Sequence, residues 1–277
     1  MKKMKNLMAL LLAVLMVFTL VACGDKKDEG KDDDKPLGLV DQIKANGKLV
    51  VGTSADYPPY EFHTEIDGKD TIVGFDIDIA KYIADDLGVA LEIVDMNFDN
   101  LLMSLANDEF DMVIAGLTKD EKRALTTDFS KPYLESKNLV LVRTADEAKY
   151  KNLEDLKGAK AGAQTGTIPY DRCVTYCGEA TTTGLAKVQD LVMELKAGKI
   201  DVVMLDYMTV LTYADVNDDL SAVDVGIPSD GEGYSIAMKK GDAELVAYVD
   251  SVLDKLAADN KIEQFIVDAQ KLAGLEE

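Results

Sequence analysis

The 277-residue chain holds one histidine, three cysteines and no tryptophan, and its 30 lysines and arginines face 51 aspartates and glutamates. Most of these shortages remove a class of function. Any histidine-based metal set, or any Ser-His-Asp or Cys-His nucleophile, would have to be built around His63. That residue falls in an expected loop ahead of Gly68 and reads as exposed, so no metal, cofactor or catalytic residue is expected. Cys173 and Cys177 are too few ligands for a metal. Their i,i+4 spacing on a helix fits disulfide geometry poorly, so they are expected to be free or loosely paired. A net charge of −21 argues against nucleic acid, whose binding needs concentrated lysine and arginine. Gly162-x-x-x-Gly166 lacks the Gly-Lys-Ser/Thr ending, which argues against a nucleotide P-loop. The run over 7–20 is apolar and uncharged, but too short for a comfortable membrane span.

That run has another use. Lys2, Lys3 and Lys5 precede it, and it ends Leu20-Val21-Ala22-Cys23, the layout of an export signal over 1–22. The ending resembles the lipobox of bacterial lipoproteins, which implies a lipidated Cys23 as the new N-terminus. An ordinary secretory signal with an incidental cysteine is the other reading. Residues 24–35 contain no apolar side chain and can bury nothing, so 23–36 reads as a charged tether. An acylated Cys23 would anchor a folded body to the outer face of the cytoplasmic membrane.

Beyond the tether, strand-like and helix-like runs alternate. Lys48-Leu49-Val50-Val51-Gly52-Thr53 predicts a strand. Phe75, Ile79, Ile83 and Leu87, followed by Gly88, predict an amphipathic helix over 75–87 with its C-cap. Strands are expected over 90–94 and 111–117 with a helix over 100–106 between them, a βαβαβ unit that implies a parallel sheet. After residue 145 the pattern restarts with a strand over 159–164 and helices over 168–176 and 185–197. A strand over 200–205 follows, ending at Asp206. Two α/β lobes result, with KNLVLVR at 137–143 and YSIAM at 234–238 as crossover strands. The last roughly 35 residues read as helices packing back on the first lobe. Lobe 1 would be 37–138 and 233–277, and lobe 2 would be 139–232.

Ligands of open parallel sheets sit beyond the C-terminal strand ends, which points at Ser54–Tyr57, Phe98, Gly116–Thr118, Gln164–Ile168 and Asp206. The stretch AGLTKDEKR at 115–123 has two readings. In one, Thr118 and Glu121 form a capping box that starts a helix, with Arg123 on its solvated face. In the other, Gly116 lets backbone approach a ligand, Thr118 offers a hydroxyl, and Arg123 pairs a carboxylate with its planar fork. The stretch alone does not separate them. Glu61 and Asp56 lie nearby and meet either a basic ligand side chain or solvent.

Five ordered segments, GTSADYPPYEF (52–62), GFDIDIAKYIADDLG (74–88), DMVIAGLTKDEKRALTTDFSKPY (111–133), LEDLKGAKAGAQTGT (153–167) and GKIDVVMLD (198–206), resemble the family 3 bacterial solute-binding proteins of polar amino acid ABC transporters. The resemblance implies a type II periplasmic-binding-protein fold, two α/β lobes joined by two crossover strands. It also implies a monomeric receptor that passes a polar L-amino acid, glutamine-like or basic, to an ABC permease, and no enzymatic activity. Arg123, with the Gly116 backbone and the Thr118 hydroxyl, would hold the ligand α-carboxylate. Asp206 would hold the α-ammonium, and Tyr57 and Phe98 would sandwich the side chain. Gln164, Thr165, Thr167 and Ile168 would approach from lobe 2, where a helix N-terminus adds donors. Ile168 departs from the threonine or small residue frequent in relatives, so only its N–H remains useful. Ser54 stands where relatives selective for basic amino acids often carry Asp, which weakens a basic ligand. An enzyme on the same fold, a prephenate- or arogenate-type dehydratase, is the alternative. It would need Glu61 as its general acid.

Overall fold

The computed structural model describes residues 38–229 and 233–274. The export signal over 1–22, Cys23 and the tether over 23–36 lie outside the described residues.

Helix α1 (Leu39–Asn46) leads into β1 (Lys48–Thr53). A small antiparallel sheet follows, made of β2 (Asp56–Tyr57), β3 (Glu61–Ile66) and β4 (Lys69–Val73). Next come α2 (Phe75–Leu87), β5 (Ala90–Asp95), α3 (Leu101–Ala106), β6 (Met112–Val113) and β7 (Thr127–Phe129). β1 pairs in parallel with β5 and β6, as the alternating pattern predicts. The apolar face of α2 buries Phe75, Ile79, Ile83 and Leu87. Gly88 ends that helix at φ 74°, where its N–H returns to the carbonyls of Ala84 and Asp85. A side chain would be strained in that left-handed cap.

The second sheet begins with β8 (Asn138–Arg143) and β9 (Ala161–Gln164). It continues through α4 (Ile168–Tyr176), β10 (Thr182–Leu185), α5 (Val188–Lys196), β11 (Val202–Asp206), α6 (Tyr207–Asp215) and β12 (Leu220–Val223). Its order is β10-β9-β11-β8-β12, with β8 antiparallel to β11 and β12. The chain then returns to the first sheet through β13 (Ala237–Lys239), which pairs antiparallel with β6 and β7 and completes the order β5-β1-β6-β13-β7. Helices α7 (Ala243–Ala258) and α8 (Lys261–Leu272) close the chain. Leu245, Val249, Val252, Leu253 and Ile262 share one core with Leu49, Val51, Ile79 and Ile83, so the C-terminal helices pack on the first sheet. The two passages between the sheets lie side by side: Tyr133 N–H donates to Tyr234 O and Tyr234 N–H to Leu134 O, each at 2.8 Å.

Four expectations change. The strand expected over 111–117 keeps only a two-residue ladder, because the chain turns at Gly116, whose φ is +50°. The capping-box helix at Thr118 does not form. Thr118 instead bridges Tyr234, and Ser235 N–H donates to Leu117 O at 2.8 Å, so pairing with a distant strand overrides local propensity. A short 3₁₀ turn, Arg123–Leu125, comes later, with the Asp120 carboxylate accepting from Arg123 N–H at 2.7 Å. The helix expected over 185–197 begins at Val188, because Thr182–Leu185 pairs with β9 instead. His63 lies in β3 rather than in a loop. It is exposed as expected, with Nδ1 2.9 Å from the Asp70 carboxylate.

Candidate functional site

A cleft opens where the strand ends of the two sheets face each other. Tyr57, Phe98, Gly116, Thr118 and Arg123 line it from the first sheet's side, and Gln164, Thr167 and Ile168 from the second. Ser54 and Asp206, also expected there, do not line it.

Arg123 follows the turn that Gly116 makes, and its side chain is only 11% exposed. Its Nη1 donates to Thr118 O at 2.6 Å and its Nη2 to Gly166 O at 2.9 Å. The guanidinium carbon stands 5.6 Å from the centre of the Phe98 ring, and Nε is 3.5 Å from the Asp120 carboxylate. Burial pulls its pKa below the usual arginine value, while Asp120 and Asp171 oppose that. A guanidinium starts so high that it stays charged. Two carbonyls and a ring fix the plane of the fork, and its remaining N–H groups suit a carboxylate.

Gly116 serves differently from the expectation. Its N–H donates to Asp76 Oδ2 at 2.7 Å, so that donor is directed at a buried carboxyl rather than at a ligand. Tyr133 OH also donates to Asp76, at 2.8 and 2.9 Å to its two oxygens. Asp76 is fully buried, and burial pushes its pKa up to about 6 against those bonds.

Beside Asp76 lies Glu61, 1% exposed, on β3 and lining the cleft. Its Oε2 has no hydrogen-bond partner among the described residues. Desolvation first, then the charges of Asp76 and Asp56, push its pKa well above the usual carboxylate range. A buried oxygen without a partner costs free energy unless a ligand or water meets it.

Asp206 ends β11 and is fully buried behind the cleft wall. It accepts from Tyr60 OH at 2.5 Å, from Tyr234 OH at 2.7 Å and, as the N-cap of α6, from Met208 N–H at 2.9 Å. Burial raises its pKa to about 6, with these bonds opposing the rise. Its own N–H donates to Tyr57 OH at 2.7 Å. Ser54 is buried too, its hydroxyl 3.2 Å from Asp56 Oδ1. Asp56 is withdrawn from solvent: it is 2% exposed and accepts from Gln164 Nε2 and Val188 N–H. Thr167 caps α4, accepting from Tyr170 N–H at 3.3 Å while donating to Gln164 O at 2.7 Å. Ile168 is the first residue of that helix, so its N–H has no partner within the helix.

Asn138, Ser136 and Tyr234 also line the cleft and were not foreseen. They sit on the two passages between sheets, where a β-rich pattern marks a strand but not which side faces inward. Glu61 carried a signal, an acid set between Tyr60 and Phe62, that left its partner open. Four carboxyl groups, those of Asp56, Glu61, Asp76 and Asp206, are buried, and of these Glu61 lines the cleft together with Arg123. Such a site has a carboxylate receptor and an acidic interior. Glu61, whose pKa burial raises, shares the cleft lining with Arg123 and so meets the minimum for a dehydratase acid; geometry alone leaves binding and catalysis open.

Comparison with known proteins decides between them. The profile of the bacterial extracellular solute-binding proteins, family 3, matches residues 49–267. The chain is 30% identical over 264 residues to the arginine-binding extracellular protein ArtP of Bacillus subtilis, covering 94% of this chain and 96% of that one. It is 30% identical over 241 residues to the L-cystine-binding protein TcyJ of Escherichia coli, covering 82% and 84%. An amino acid ABC transporter substrate-binding protein, AbpA of Streptococcus pneumoniae, bound to L-arginine, superimposes with a TM-score of 0.82 at 36% identity, covering 85% of this chain and all of that one.

Proposed function

The chain belongs to the bacterial extracellular solute-binding proteins of family 3, binding proteins rather than enzymes with the two-lobed type II fold, and on that premise we propose that it captures an L-amino acid with a cationic side chain, arginine foremost. One observation carries the ligand class. Glu61 is buried, lines the cleft, and presents an oxygen without a partner next to a second buried carboxyl. A neutral side chain would bring that buried acid no charge to pair with. A guanidinium supplies planar donors and a charge that lets the carboxyl ionise. The arginine-binding relative from Bacillus subtilis and the arginine-bound structure from Streptococcus pneumoniae support the same class. They also outweigh Ser54, whose place in relatives selective for basic ligands often holds Asp.

In this reading Arg123 and the N–H of Ile168 take the ligand α-carboxylate from opposite lobes. Tyr57 and Phe98 flank the aliphatic stem, and Glu61 receives the guanidinium. Asp206 takes the α-ammonium. Its oxygens already accept from Tyr60, Tyr234 and Met208 N–H, three of about four lone-pair positions, so one stays open to the ammonium. Both charges of a zwitterion must be met inside a closed cleft, and only the closed lobes supply both partners, so ligand binding biases closure. The N-terminal residues fit a lipoprotein, with a signal over 1–22, an acylated Cys23 and a tether over 23–36; the receptor is proposed to act as a monomer. Its body, lobe 1 at 37–138 and 233–277 with lobe 2 at 139–232, works at the outer face of the cytoplasmic membrane and hands its ligand to an ABC permease.

Thermal unfolding against a panel of amino acids, with ornithine, citrulline and cystine, tests the ligand class after unfolding and refolding strips any bound molecule. Arginine at about 100 times its Kd should stabilise by roughly 2.7 kcal/mol, a shift of about 5–10 °C for a chain this long. A shift with cystine or glutamine and none with arginine overturns the assignment.

A further inference from the structure

Asp56 is held by the opposite lobe. It lies on β2, attached to the first sheet's side, yet its carboxylate accepts from Val188 N–H at 2.9 Å and from Gln164 Nε2 at 3.1 and 3.2 Å. Both donors belong to the second sheet's side, at the start of α5 and the end of β9. The same Gln164 amide donates to Ala186 O at 3.0 Å, tying strand end, turn and carboxylate together.

Helix α5 explains why an acid stands there. Its own N-cap position is Lys187, which makes no side-chain cap bond. An ammonium cannot accept a hydrogen bond, so the helix's own N-cap residue offers no side-chain acceptor to its first N–H groups. An aspartate is among the best capping residues, and its charge complements the positive end of the helix dipole. The Lys187 ammonium adds attraction. Asp56 is itself buried and would be costly to bury unpaired. Asp56 does not line the ligand cleft, and its bonds run from lobe to lobe.

We propose that Asp56 is an interlobe latch: it caps α5 across the cleft, favours the closed state, and slows ligand release without touching the ligand. The latch is independent of which amino acid the cleft takes. It also assigns Gln164 a role the sequence did not indicate, since that amide is spent on Asp56 and Ala186 O. Opening leaves both the helix end and the carboxylate to water, so the latch acts as a positioning device on the open–closed equilibrium.

The test measures arginine association and dissociation by stopped-flow for the wild-type protein, Asp56→Ala and Asp56→Asn, with interlobe distance by small-angle X-ray scattering. Loss of a helix cap corresponds to roughly a 3- to 30-fold change. Asp56→Ala should speed dissociation by that factor and leave association within about twofold, and Asp56→Asn, which still offers a capping oxygen, should recover most of it. Lys187→Asp gives the helix a cap of its own and sets a like charge against Asp56. It too should speed release, which keeps the test alive if Asp56→Ala fails to fold. Unchanged dissociation in both Asp56→Ala and Lys187→Asp overturns the latch. So does equal loss in Asp56→Ala and Asp56→Asn, which would mean that the charge, not the cap, matters. A wild-type protein that ignores arginine sinks the ligand assignment instead. The latch is then judged on scattering alone, where Asp56→Ala must be more open than wild type.

Discussion

Replacing Glu61 by glutamine keeps the side chain's shape and removes its charge. The wild-type carboxyl is buried at 1% exposure, so its attraction to a guanidinium is poorly screened. At 4 Å and an effective dielectric constant of 20, opposite charges attract by about 4 kcal/mol. Part of that is spent in ionising a carboxyl whose pKa burial and Asp76 push well above the usual carboxylate range. The net loss for arginine in Glu61→Gln is therefore about 2–4 kcal/mol, or roughly 30- to 1,000-fold in Kd. Citrulline has nearly the same outline without the charge, and its affinity should move by less than about threefold, or improve. Isothermal titration of both ligands on both proteins at pH 7.5 reads the difference directly. Equal losses for arginine and citrulline would mean that Glu61 supports the fold of the cleft. An unchanged arginine affinity would mean that the guanidinium lies elsewhere. Either result refutes the reasoning.

Arg123→Ala should weaken every α-amino acid ligand by roughly 2–5 kcal/mol, the cost of removing one partner of a buried charge pair; calorimetry that finds unchanged affinity removes the carboxylate clamp. Stability should depend on pH in a defined direction. Asp76 and Asp206 have folded pKa values near 6 against an ordinary 3.8, so the folded chain holds protons that the unfolded chain releases between about pH 4 and 6. Their contribution is thus lost as pH rises through that window, and without ligand the midpoint of thermal unfolding should be higher at pH 5 than at pH 7.5. Asp86, Asp128 and Asp224 work oppositely, their pKa values lowered by lysine and other hydrogen-bond partners, but they act only below about pH 4. A midpoint that falls steadily from pH 7.5 to 5 contradicts the account of the buried carboxyls.

Much of the frame was legible in the sequence because it is set by local periodicity. The helix over 75–87 has its bounds fixed by the spacing of Phe75, Ile79, Ile83 and Leu87 and by Gly88. The helix over 168–176 begins where Thr167 caps it. The reading failed where distant pairing decides. Thr118 and Glu121 have the form of a capping box, yet the backbone at Thr118 goes to Tyr234. Residues 182–185 pair with β9 and cannot join the helix that follows them. Strand ends pointed to seven of the expected ligand residues that line the cleft, all but Arg123, because a parallel sheet presents its C-terminal ends together. What strand ends do not reveal is which buried acid faces inward and which is already satisfied. Glu61 and Asp206 exchange prominence for that reason: the tyrosines that occupy Asp206 come from 60 and 234, and no pattern around Asp206 announces them.

A crystal structure of the stripped and refolded protein grown with arginine tests the central claim most directly. The account predicts the α-carboxylate on the Arg123 guanidinium and the ligand's own guanidinium within hydrogen-bonding distance of Glu61 Oε2. Arginine bound with its side chain directed away from Glu61, or a carboxylate held by other residues, would contradict it.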